Sequence, residues 1–152
     1  MPDEDLELFR LHRAEQSKYV YFILAAAAGG IALAVRMTAD ATVHWSLAPL
    51  GAAVVSWGLS FFHGCRQLQY AQEVTAKNVQ QLKVARGDDP VVGRDPSRRA
   101  VATEVMKEVI ERDSTRAGRH YIWQFRYLVT GAVMFVGWHV LQIVLRSAAR
   151  TP

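Results

Sequence analysis

Apolar and polar residues alternate in long blocks along this chain. Residues 19–35, 46–63 and 127–145 contain no Asp, Glu, Lys or Arg, whereas the intervals between them are rich in charge. A soluble domain spreads its apolar residues as a periodic pattern; blocks of about 17–20 uncharged residues are the signature of helices that cross a bilayer. The pattern predicts an all-α integral membrane protein with three transmembrane helices, over about 19–35, 46–63 and 127–146. A cytoplasmic antiparallel helical hairpin is expected between the second and third. The expected organisation is an N-terminal amphipathic cytoplasmic segment (1–18), a transmembrane hairpin (19–63), the helical hairpin (64–126), the third span (127–146) and a tail (147–152).

The N-terminal segment places Asp3, Glu4 and Asp5 before Arg10, Arg13 and Lys18, the order a helix macrodipole favours. Leu6, Leu8, Phe9 and Leu11 add a short apolar stripe, so the segment reads as amphipathic. A cleaved signal peptide competes with this reading, because Ala32-Leu33-Ala34 has the form of a cleavage site. The acidic opening is a poor basic n-region, which favours an uncleaved span. Ala25-Ala26-Ala27-Ala28-Gly29-Gly30 in mid-span would let a neighbouring helix approach closely. The short connection over 36–45, containing Asp40, makes the first two spans antiparallel neighbours. Pro49 falls in the first turn of the second span, where its missing N–H costs little.

Between Cys65 and Arg86 no helix breaker occurs, so the second span is predicted to continue as a long helix. Gly87, Asp88-Asp89-Pro90 and Gly93 signal a turn, and Asp95-Pro96 signals a restart with an aspartate cap and proline in the first helical position. Leu68, Ala71, Thr75, Val79 and Leu82 on one leg should face Val101, Val105, Val109, Ala102, Met106 and Ile110 on the other, as a short coiled coil. Leu82 and Val101 should meet near the turn.

Lysine and arginine set the orientation. They are concentrated before residue 19 and between 66 and 126, while the first connection holds only Arg36. The positive-inside rule then places the N-terminus in the cytoplasm and the C-terminus outside, with a bacterial cytoplasmic (inner) membrane as the expected location. The net charge of +4 fits juxtamembrane basic residues. No basic run is interleaved with aromatics in a polar segment, so no nucleic-acid partner is expected. The single cysteine, Cys65, excludes an intrachain disulfide.

Two groups of residues carry functional potential. Ser56, Ser60 and His63 share a face of the second span, and His139 and Gln142 share a face of the third. Polar groups in a span are costly, so such a face forms either interhelical hydrogen bonds or a water-lined path. Arg112, Arg116, Arg119 and Arg126, with Trp123 and Tyr127, form a candidate belt for anionic lipid headgroups. Glu104, Glu108 and Glu111 also share a face, but no histidine follows any of them at the spacing of a carboxylate di-metal site. There is no phosphate-binding glycine loop, no nucleophile elbow and no HExxH. The five histidines are scattered, with no pair placed to ligate haem.

The expectation is therefore a non-enzymatic protein without cofactor or metal. It would act as an oligomeric scaffold or an accessory subunit of a membrane complex, with membrane lipids and further subunits as partners. The alternative is a homo-oligomeric pore or membrane effector lined by the polar faces of spans two and three.

Overall fold

A computed structural model describes residues 2–39, 42 and 44–148, with side chains from Lys18 onward. All regular structure among the described residues is helical. Helix α1 covers Pro2–Met37, α2 covers Ala48–Arg86 after a single 3-10 turn at Trp45–Leu47, and α3 covers Pro96–Ala148. Each contains a stretch long and apolar enough to cross a membrane. At 1.5 Å per residue, the 39 residues of α2 and 53 of α3 extend to about 58 and 80 Å, far beyond a hydrocarbon core of about 30 Å. The N-terminal segment is continuous with the first apolar stretch in α1; its expected stripe of Leu6, Leu8, Phe9 and Leu11 lies outside the described side chains, and Asp40 lies outside the described residues.

The helix ends follow the local sequence. Gly87 takes φ +78°, its N–H donates to the Val84 carbonyl at 3.0 Å, and the Asp88 N–H donates to the Lys83 carbonyl at 2.9 Å. This pair of bonds is the Schellman closure, which requires a left-handed residue just past the helix and so selects glycine. Gly93 takes φ +65° in the same turn. Asp95 then caps α3: its Oδ1 accepts the Ser97 N–H at 2.9 Å and the Ser97 hydroxyl at 2.6 Å, with Pro96 in the first helical position.

The chain divides into two units, one of Met1–Gly64 with Ile122–Pro152 and the other of Cys65–Tyr121. In the first, the buried positions are Val20, Ile23, Ala27 and Ala34 on α1, then Ser46, Leu50, Ala53, Trp57, Ser60 and Gly64 leading into and along α2. On α3 they are Gln124, Gly131 and Trp138. On α2 the spacing alternates four and three, an average of 3.5 residues, which is the seam of helices packed side by side. Trp57 is the centre of this core. It packs against Phe135 at 5.6 Å between ring centroids, while Gly30 and Gly131 are the points at which α1 and α3 close on the indole.

In the unit Cys65–Tyr121, the same 3.5-residue rhythm keeps part of the stripes that the sequence suggests, with Leu68, Ala71, Ala102, Met106, Val109 and Ile110 half-buried, and leaves the rest outside. Val74 and Val84 are buried on α2, with Gln67, Ala71, Asn78 and Gln81 half-buried; Asp113 is buried on α3, with Thr103, Met106, Ile110, Ala117 and His120 half-buried. Val79, Leu82, Val101 and Val105 are instead 51, 57, 67 and 55% exposed, so the expected meeting of Leu82 with Val101 is not a buried contact. The physical reason is angular. Successive residues at spacing four advance about 40° beyond a full turn, so a run such as Val101, Val105 and Val109 winds off a straight seam, whereas alternating threes and fours stay on it.

Polar and aromatic contacts link the helices of this unit. The rings of Tyr70 and His120 stack at 5.6 Å, Lys77 Nζ donates to Asp113 Oδ2 at 2.5 Å, and the Arg99 guanidinium donates to the Ala85 carbonyl. Residue numbers rise on one helix as they fall on the other.

Candidate functional site

The polar groups of the first unit fall into two places. Ser56, half-buried on α2, returns its hydroxyl to its own helix, donating to the Ala52 carbonyl at 2.8 Å. Ser60, one turn on, has no exposed surface, and its hydroxyl donates across the helix interface to the Gln124 carbonyl at 2.8 Å. Gly64 completes this contact: a Cβ there would fall 2.5 Å from Gln124 Nε2 and 2.7 Å from Leu24 Cδ2. The Gln124 side chain is fully buried, and neither its Oε1 nor its Nε2 has a hydrogen-bond partner. The His63 ring stacks on Tyr127 at 5.5 Å and on Trp123 at 6.5 Å.

Thus Ser60 and His63 come together with Trp123, Gln124 and Tyr127. His139 and Gln142 do not join them. His139 is exposed beside the Trp138 ring, about 18 Å along α3 from Tyr127 by the helical rise, and Gln142 is half-buried a turn beyond. Sequence reasoning missed Gln124, Gly64 and Trp57 as members of this centre. The signal available was the 3.5-residue spacing of Trp57, Ser60 and Gly64, hidden because an indole, a hydroxyl and a glycine do not form an apolar stripe.

The basic residues divide between the units. In the first, the Arg126 guanidinium lies over the Trp123 ring at 5.3 Å, and Trp123 stacks on Tyr127 at 5.6 Å. This arrangement holds a cation beside a polar–apolar boundary of the kind aromatic rings prefer. In the second unit, Asp113 organises the charges. It is only 3% exposed, with Lys77 on one oxygen and Arg112 Nε and Arg116 Nη1 at 3.8 and 3.6 Å from the other. The hydrogen bond from Lys77 holds the Asp113 carboxyl below the usual carboxylate range, and the same bond raises the Lys77 ammonium above the usual lysine range. Arg112 and Arg116 are therefore partly neutralised by their own chain. Arg119 is exposed and makes no ion pair among the described residues.

Among the described residues no three His, Cys, Asp or Glu side chains gather as metal ligands. The chain matches no known family, no curated protein and no solved structure.

Proposed function

We propose that this chain is a non-enzymatic integral membrane protein that acts as an oligomeric scaffold or an accessory subunit of a membrane complex. The observation that carries the reading is the placement of Ser60. The most buried hydroxyl of the second span is consumed inside the chain's own helix packing, by the Gln124 carbonyl, and does not line an open path. The apolar surface is instead turned outward: in the most hydropathic stretch of Pro96–Ala148, with mean hydropathy 1.9, only 11% is buried. A protein that exposes so much apolar surface needs lipid or partner helices around it.

In this reading, spans at about 19–35, 46–63 and 127–146 cross a bacterial cytoplasmic membrane with the N-terminus inside and the C-terminus outside. Residues 65–121 form an antiparallel helical hairpin in the cytoplasm. Thiol labelling of intact cells tests the orientation. A cysteine at Thr42 should react with an impermeant reagent and one at Gly93 should not, both in a Cys65→Ala background. Reaction at Gly93 overturns the topology. Planar-bilayer recording of the purified protein tests the scaffold against a pore: a silent bilayer is expected, and single-channel currents abolished by His139→Leu would establish the pore.

The reading also assigns anionic lipid headgroups as partners of the belt Arg112, Arg116, Arg119, Trp123, Arg126 and Tyr127. Because Asp113 already engages Arg112 and Arg116, Arg119 and Arg126, which form no ion pair among the described residues, should carry most of the affinity, each contributing on the order of 1 kcal/mol at an anionic surface. Native mass spectrometry of Arg119→Gln with Arg126→Gln should show less retained anionic lipid than Arg94→Gln with Arg98→Gln. Equal retention by both would remove the belt as a lipid site.

A further inference from the structure

We infer that the exposed outer faces of α2 and α3 in the unit Cys65–Tyr121 are the two halves of a contact between copies of this chain, the basic α2 face of one copy docking on the acidic α3 face of the next. The inference rests on the scaffold reading and specifies its assembly surface. On α2 the face consists of Val79, Leu82, Lys83 and Arg86; on α3 it consists of Val101, Glu104, Val105 and Glu108. All eight are exposed. At about 100° per residue, each set falls within a narrow sector of its helix, roughly opposite the buried seam. The apolar members are thus the stripes that the sequence displays but the seam does not use.

The charges identify the occupant. Among the described residues Lys83 and Arg86 form no ion pair, and neither do Glu104 and Glu108, so two cations and two anions stand unmatched there beside exposed valine and leucine. A surface meant only for water has no need of apolar residues between its charges, and a basic partner would be met by one face alone. A second copy supplies the complementary charge to both faces at once. The two faces lie at the same level of the unit, since Arg99 reaches the Ala85 carbonyl and Lys77 reaches Asp113. Copies sharing one orientation in a membrane can therefore bring them together by rotation about the membrane normal. Because each face points away from the other, the contact is heterologous rather than a two-fold pair, and it builds a ring where the rotation between copies closes and an open row where it does not.

The test is a charge swap in the full-length protein in mild detergent, read as the dissociation constant of the oligomer by native mass spectrometry and sedimentation. Reversing one face, Lys83→Glu with Arg86→Glu, or Glu104→Lys with Glu108→Lys, should each raise the dissociation constant about tenfold, because exposed pairs are weak singly but each reversal turns two attractions into repulsions. The four-residue swap should restore the wild-type value to within about threefold. Restoration requires that the reversed chains fold. An oligomer that neither reversal weakens, or that the swap fails to restore, overturns this contact and leaves the scaffold reading in place. A wild-type chain that is monomeric at every concentration overturns this contact and the oligomeric scaffold together, and leaves only the accessory subunit of the proposed function.

Discussion

Gly131→Ala should destabilise the protein, and Gly137→Ala, on the same helix six residues later, should not. A Cβ at Gly131 would lie 2.5 Å from Trp57 Nε1 and 2.6 Å from Cδ1, whereas a Cβ at Gly137 meets nothing within 4 Å. The indole has no room to withdraw. A Cβ at Gly30 on α1 would approach Cδ2 and Cε3 at 2.9 Å, so the ring is clamped between two helices at glycines. Adding one methyl to such a site forces the backbone or the ring to move, at a cost of about 1–3 kcal/mol. At Gly137 the same methyl meets open space, and alanine's better helix propensity makes the change neutral or stabilising by up to about 1 kcal/mol. Reversible unfolding of the full chain in mixed micelles reads both. Trp57→Phe should reduce the effect of Gly131→Ala, since the smaller ring vacates the contested space, and the two changes should be less than additive. Equal losses at both glycines would mean that the substitutions act through the helix backbone and not through Trp57.

The contrast also shows what the sequence makes legible. The three apolar stretches, the unbroken second helix, the turn at Gly87–Gly93 and the Asp95-Pro96 restart are local signals, and each appears in the helices as read: Gly87 and Gly93 have positive φ, and Asp95 accepts the Ser97 N–H. The seam is not local. Its identity depends on which side of each helix meets another, and here that side mixes large apolar residues such as Ile23, Leu50 and Trp57 with small and polar ones. Gly30, Gly64 and Gly131 are places where a side chain would obstruct, and Ser60, Gln124 and Asp113 are polar groups that burial would normally exclude. A reader of apolar stripes therefore selects Val79, Leu82, Val101 and Val105, which face outward. A 3.5-residue register taken without regard to polarity selects Trp57, Ser60, Gly64, Gln67, Ala71 and Val74 in one sweep.

Asp113→Asn should loosen the unit Cys65–Tyr121 and remove much of its pH dependence. Asp113 is buried, and Lys77 from the other helix is its closest cation at 2.5 Å. The hydrogen bond from Lys77 is the main reason that the Asp113 carboxyl ionises below its ordinary value, and that the Lys77 ammonium stays protonated above its own. A carboxyl depressed in the folded state contributes stability that is present above its ordinary value of about 4 and is lost as pH falls through the lower folded value. An ammonium raised in the folded state contributes stability that is present below about 10.4 and is lost as pH rises through the higher folded value. The pair thus supports a plateau that falls at both ends. Asp95, also depressed, chiefly by the Ser97 hydroxyl, adds only to the acid flank. Hydrogen exchange of amides in residues 70–84 and 106–117 of the full chain, followed across pH after correction for intrinsic rates, separates these contributions. Asp95→Asn should flatten the acid flank alone. Asp113→Asn should flatten both flanks and accelerate exchange on the plateau, because it leaves the half-buried Lys77 facing an amide. Lys77→Met with Asp113→Leu should exchange more slowly than either single change, since removing both charges leaves neither one stranded. An Asp113→Asn profile parallel to the wild type at both extremes would show that the ion pair does not hold these helices together.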